Sequence, residues 1–217
     1  MKKEFEKRIL SSLIIIPIAF FFIIKGSAFF IFFLSIFFLA TSYEWIKMNK
    51  KDIFKFFGII YLFTISYFAY LLRENYGLNI FIFIVIICIF TDIGGYVFGK
   101  IFKGPRLIKI SPNKTYAGMI GSFIFSLIAG YIYTQFENLF TLFELFILQT
   151  NDLIYMMIVL VISATSQIGD LIISYFKRLA KVKDTGKLLP GHGGLLDRVD
   201  GIIFAIPFSY LLFNFLI

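Results

Sequence analysis

The sequence predicts an all-α, polytopic integral membrane protein with about seven transmembrane helices and long cytoplasmic loops. Three observations carry this. Hydrophobic residues fill 59% of the 217 positions, charged residues only 16%, and mean hydropathy is +0.90. A soluble domain carries about 45–50% apolar and about 25% charged residues. Apolar runs recur along the chain at lengths near the roughly 17–25 residues that cross a bilayer. Basic residues collect in alternate connections between those runs. With 31 Phe, the chain has more apolar surface than one soluble core could hide. Disordered, collagenous and disulfide-rich classes are excluded as well.

The apolar runs lie at 9–24, 28–46, 56–72, 78–98, 116–136, 153–176 and 201–217. The first is short and contains Pro17. With the second it forms either two full spans or a re-entrant hairpin, and both return the chain to one side. The N-terminal MKKEFEKRIL has the basic flank of a signal peptide, but no small-residue cleavage pattern follows Lys25. It reads as a retained anchor. The run 139–148 is too short to span and reads as an interfacial helix.

Nineteen of the 21 basic residues fall in four places: the N-terminus, 47–55, 100–114 and 177–198. The alternate connections hold only Lys25 and Arg73. By the positive-inside rule the N-terminus is cytoplasmic and, with an odd number of crossings, the C-terminus is external. Glu137, Glu144 and Asp152 then lie outside. The net charge of +8 therefore speaks of topology and lipid head groups, not of nucleic acid. The single Cys88 permits no disulfide and reads as a small buried hydrophobe, and a single His192 excludes a His-rich zinc site.

Polar groups within the spans narrow the chemistry. An ionisable residue in a membrane helix costs about 2.5–3.5 kcal/mol on insertion scales and usually faces a cavity or a partner. Asp92 and Asp170 are such residues. Ser163, Ser166, Gln167, Asp170, Ser174 and Lys177 recur at spacings of three and four, which makes one polar stripe down the sixth span. That stripe must line a wet groove or pack on another polar stripe. Asp92, Tyr96 and Gly99 repeat the spacing on the fourth span, where Gly94, Gly95 and Gly99 permit close helix approach.

Two cytoplasmic loops, 100–115 and 177–200, hold more than topology requires. The block Ser111-Pro112-Asn113-Lys114-Thr115 suits a helix start, with Ser or Asn as cap and Lys114 adding charge. The second loop sets six basic side chains beside Asp184, Asp197 and Asp200, around Pro190-Gly191-His192-Gly193-Gly194. Glycines let backbone N–H groups approach a ligand, basic residues hold phosphates, and carboxylates hold Mg²⁺. Together they describe a site for a metal–polyphosphate substrate at the membrane surface. His192 reads equally as general base, phosphate donor or loop-ordering residue. No G-x-S-x-G or Walker A pattern occurs, which excludes serine hydrolase and P-loop chemistry.

The run from Ser174 through Lys177-Arg178, Lys183-Asp184, Pro190-x-His192-Gly193-Gly194 and Asp197-Arg198-Val199-Asp200 resembles the signature of the phosphatidate cytidylyltransferases (CDP-diacylglycerol synthases). Asp92-Ile93-Gly94-Gly95-Tyr96 and Ser111-Pro112-x-Lys114-Thr115 are similar to that family's other blocks. The likeness covers roughly 80–217, and the first three spans carry no signature. Tyr116 and Ala117 stand where the family commonly has Trp and then Glu or Gln, and Gly95 where it has Ala. The chain is also shorter than many bacterial members.

The resemblance implies transfer of the cytidylyl group of CTP to phosphatidate, with release of pyrophosphate, in phospholipid biosynthesis. It implies Mg²⁺, alone or with a second cation, on Asp170 and Asp197. It implies catalytic roles for Asp170, Lys177, Arg178, Lys183, Asp184, His192, Asp197, Arg198 and Asp200. Substrate-phosphate contacts would come from Ser111, Lys114, Thr115, Ser174, Gly193 and Gly194, with Asp92 and Tyr96 in support. Residues 1–75 would be N-terminal helices and 76–217 the catalytic region. Asp170 and Asp197 are expected to share one cytoplasm-facing cavity. The partners would be CTP, phosphatidate and membrane lipid in a bacterial inner membrane. The sequence is compatible with a homodimer and fixes no oligomeric state. A transporter would explain the intramembrane aspartates but not the phosphate-type loop, and no inverted repeat is visible. A CTP-dependent polyprenol kinase or an archaeal-type CDP-lipid synthase would use similar loop chemistry.

Overall fold

The computed structural model describes residues 2–108, 111–137, 152–189, 191 and 193–216, with the side chains of 2–10, 12, 112, 113, 136 and 137 left aside. His192, Pro190 and the segment expected as an interfacial helix, 139–148, lie outside the described residues. The element order is α1 (Lys2–Lys25), α2 (Ser27–Met48), α3 (Asp52–Phe102), β1 (Arg106–Ile108), β2 (Ser111–Thr115), α4 (Tyr116–Glu137), α5 (Asp152–Leu179), α6 (Leu196–Val199) and α7 (Ile202–Leu216).

The helices fall where the apolar runs predict them. Among the described residues four helices, α2, α3, α4 and α5, are long and apolar enough to cross a membrane. The all-α, multi-pass reading therefore holds. α3 carries two of the apolar runs and is interrupted at Gly77, whose φ of 83° and ψ of 176° leave the helix. Nothing lies near a Cβ placed there, so backbone conformation alone demands glycine.

The 100–115 loop differs from expectation. Ser111–Thr115 is not the first turn of a helix but a strand, paired antiparallel with Arg106–Ile108. The residue before a proline is pushed out of the α region, which holds Ser111 extended ahead of Pro112. α4 begins only at Tyr116, and its cap is Thr115, whose Oγ1 accepts from the Gly118 N–H at 3.1 Å.

The chain forms two compact units, Met1–Leu78 with Phe176–Asp200, and Asn79–Tyr175 with Gly201–Ile217. In the first, α1 and α2 are joined at Gly26, with φ of 65°. The Arg73 guanidinium donates to the carbonyls of Ile23 (2.8 Å) and Ile24 (3.1 Å) at the end of α1. It also lies over the Phe30 ring. These carbonyls have no partner within their own helix, so Arg73 acts as a cap supplied from α3. At the other end of α2, Trp45 Nε1 donates to the Phe54 carbonyl at 2.8 Å. The rings of Trp45 and Phe54 meet Phe176 edge-on, with centroids 5.0 and 5.6 Å away.

In the second unit the glycines foreseen on α3 face glycines on α4. A Cβ on Gly94 would strike the carbonyl of Gly121, and one on Gly118 the carbonyl of Gly95. The two backbones touch, which is how membrane helices gain dispersion contact. Across that seam Ser122 donates to the Thr91 carbonyl (2.8 Å), and Thr91 donates to Ser163 of α5 (2.9 Å). Gly94→Val should force the two backbones apart and lower stability by about 1–3 kcal/mol. Thermal unfolding in detergent measures this, and an unchanged midpoint would contradict the packing.

Candidate functional site

The polar stripe on α5 does two jobs. Ser163 and Ser166 are fully buried, and Gly201 at the foot of α7 packs against Ser166 so closely that a Cβ would overlap it. One turn further along, the stripe opens. Gln167 and Asp170 line a cavity of about 240 Å³ within the second unit, together with Asp92, Tyr96, Lys114, Thr115 and Ser122. Sequence-distant groups thus converge: Asp92 and Tyr96 from α3, Lys114 and Thr115 from β2, Asp170 from α5.

Lys114 forms an ion pair with Asp170, each side chain about a quarter exposed. Ser174 donates to the other oxygen of Asp170 at 3.3 Å. The hairpin explains why Lys114 arrives here. Thr115 must cap α4, and the strand leading into that cap places its neighbour beside α5. Asp92 has no such cation of its own among the described ion pairs. The cavity therefore holds two carboxylates, an amide and three hydroxyls against one ammonium. An all-oxygen donor set of this kind suits a hard divalent cation. Among the described residues no cluster of three His, Cys, Asp or Glu occurs, so the remaining positions of such a cation would fall to water and substrate oxygens.

The first unit holds the glycine-rich loop. Lys183, Asp184, Lys187 and Gly193 line a cavity of about 730 Å³ with Tyr43, Glu44 and Lys47 of α2. Asp197 lies behind it, on α6. Its Oδ1 accepts from Lys177 at 2.8 Å. Its Oδ2 accepts from the Thr185 N–H (2.8 Å), the Thr185 hydroxyl (3.0 Å) and the Gly194 N–H (3.2 Å). Three donors thus gather on Oδ2 and one on Oδ1, of the about four lone-pair sites a carboxylate offers. Asp197 is thus the hub that closes the 184–197 loop, and Oδ1, which meets only Lys177, is the oxygen with a lone pair left for a cation. Burial pushes its carboxyl up, but the Lys177 and backbone donors outweigh burial and hold it below its usual value near 3.8.

The other expected residues are placed as follows. Arg178 is exposed, with one N–H on the Val182 carbonyl at 3.3 Å. Arg198 is exposed on α6, and Asp200 is buried after it. Ser111 sits on β2 outside the cavity lining. Gly194 is buried against Thr185 and Glu44, and Gly193 adopts φ of 89°. Two participants were not foreseen, Thr185 and Glu44. Glu44 carried a signal, since it is a carboxylate inside the apolar run 28–46 and the rule that singles out Asp92 applies equally to it.

Because the folded value for Asp197 is depressed, its contribution to stability is fully present above the unfolded value. It is lost as pH falls through the lower folded value. Amide-exchange protection of Thr185 and Gly194 should therefore persist at pH 5 and fail only below about pH 4. In Asp197→Asn it should be weak at every pH. Protection in that variant equal to the parent would refute the hub.

Residues 51–216 match the model of the cytidylyltransferase family. Proteins named phosphatidate cytidylyltransferase are similar over most of the chain. That of Staphylococcus epidermidis is 32% identical over 180 residues, and that of Staphylococcus aureus is 35% identical over 183. Each alignment covers 81% of this chain but 65% of the relative, so the chain spans just under two thirds of the length of these curated relatives.

Proposed function

The chain belongs to the cytidylyltransferase family, and we propose that within it the protein transfers the cytidylyl group of CTP to phosphatidate. The relatives' names support this substrate pair. The observation that carries it is the meeting of Lys114 and Asp170 in one cavity with Asp92. These residues come from three places far apart in the chain: Asp92 and Lys114 lie in blocks similar to that family's, and Asp170 lies one turn before the similar run that begins at Ser174.

In the reaction a phosphate oxygen of phosphatidate forms a bond to the α-phosphorus of CTP. The bond from that phosphorus to the bridging oxygen breaks, and pyrophosphate leaves with the electron pair. The lipid brings its own nucleophile, so no serine or cysteine is needed. What the chain supplies is position and charge. An ammonium has three N–H donors. Lys114 and Lys177 each give one to a carboxylate and keep others for phosphate oxygens. Lys183 and Lys187 bring further positive charge to the mouth of the loop cavity. Gly193, at φ of 89°, turns the backbone sharply beside Asp184.

Asp170, with Asp92 and Gln167 beside it, is the group we propose for Mg²⁺, and Asp197 is proposed as a metal-binding carboxylate through Oδ1. The bound ion would supply charge neutralisation for the nucleotide phosphates and the departing pyrophosphate. We place the protein in a bacterial inner membrane with both loops cytoplasmic, where CTP is found and where the basic residues lie.

Purified protein given CTP, phosphatidate and Mg²⁺ should release pyrophosphate, and Asp170→Asn should reduce this at least about a hundredfold while the protein still folds. Near-normal turnover in that variant would sink the assignment. Orientation is tested separately. Lys187 is exposed and Cys88 is buried. Lys187→Cys should react with a membrane-impermeant maleimide only after the membrane is opened, and labelling of intact cells would reverse the topology.

A further inference from the structure

Glu44 lies before the stretch that matches the family model, just ahead of the last turn of α2. It is 1% exposed. A carboxylate there opposes the helix dipole, and a buried charge is costly unless donors surround it. α2 itself provides no reason for an acid at this position.

The donors come from the glycine-rich loop. Glu44 Oε1 accepts from the Leu195 N–H at 3.0 Å, and Oε2 from the Leu196 N–H at 2.9 Å. The Thr185 hydroxyl stands 3.3 Å from Oε2 and 3.0 Å from Asp197 Oδ2. It carries one proton between two carboxylates. The same carboxylate sets the steric limit of the loop. A Cβ on Gly186 would strike Oε1, and a Cβ on Gly194 would strike both Oε2 and the Thr185 hydroxyl. Two glycines of the loop are therefore required by a side chain of α2.

Trp45, the next residue, is held to Phe54 and Phe176. The carboxylate thus projects from a fixed base. From the other side, Asp197 grips the Thr185 and Gly194 amides of the same loop.

We propose that Glu44 is a positioning residue for the transfer reaction. It holds the 185–196 loop, through the amides of Leu195 and Leu196, in the shape that presents Lys183, Asp184 and Gly193 to the cavity. This rests on the cytidylyltransferase reading above. Glu44 touches no reacting atom; it acts through the loop.

The test uses the full chain in nanodiscs, with Glu44→Gln and Thr185→Val, and with Thr185→Ser as the conservative rescue. Glu44→Gln keeps the shape but sets an amide N–H against a backbone N–H. Its Leu195 and Leu196 amides should exchange at least tenfold faster in the absence of substrate, while those of α2 and α5 stay unchanged. Its kcat for CTP-dependent pyrophosphate release should fall at least tenfold. Thr185→Val should shift both readouts in the same direction, and Thr185→Ser should restore them. Parental exchange and kcat in Glu44→Gln would overturn the proposal. So would faster exchange spread over the whole chain, since Glu44 would then serve general stability. An unsubstituted protein that releases no pyrophosphate from CTP and phosphatidate would count against the proposed function alone, because amide exchange reads the clip without substrate.

Discussion

A carboxylate embedded in an apolar helical protein must be met by donors, and each of the three that matter here is met differently. Asp170 is met by an ammonium from the hairpin. Asp197 is met by an ammonium and by loop amides together. Glu44 is met by two backbone amides and a shared hydroxyl. The irregular parts of the chain are arranged around these needs. The hairpin exists where Lys114 must reach Asp170, and the glycine-rich loop curls where its amides must reach Glu44 and Asp197. Breaking one partner would leave the other buried and uncompensated, which is the costly case for an interior ion pair.

Much of this was legible before any coordinates. The spans follow from apolar run length, because a membrane helix has no alternative way to satisfy its backbone. The close seam between α3 and α4 follows from Gly94 and Gly95, because small residues announce backbone contact. Asp92 and Asp170 announced the cavity by being charged where lipid should be. The strand at Ser111–Thr115 was hidden because capping residues and turn-forming residues overlap in type. Only the Ser-Pro pair distinguished them. Glu44 escaped notice because it stands near a basic cluster, where one acid among lysines resembles ordinary surface. Its partners are backbone amides, which leave no trace in a sequence. The loop amides that meet Asp197 were hidden for the same reason.

Glycine carries three distinct meanings in one chain. At Gly77 it permits a backbone angle, with nothing nearby. At Gly94 and Gly121 it permits two helices to touch. At Gly186 and Gly194 it leaves room for a carboxylate. A single substitution to alanine would fail for a different reason at each: strain, separation of helices, or loss of a clip.

The Arg73 cap has a consequence for biogenesis. The α1–α2 hairpin emerges from the ribosome with the carbonyls of Ile23 and Ile24 still unmet, and the group that meets them lies in α3, some fifty residues later. At about 5–20 residues per second, the hairpin waits several seconds for its lock. During that interval its turn must be solvated by water or lipid head groups. The order of synthesis thus keeps the tip of the first hairpin at a membrane surface until the third helix arrives to hold it there.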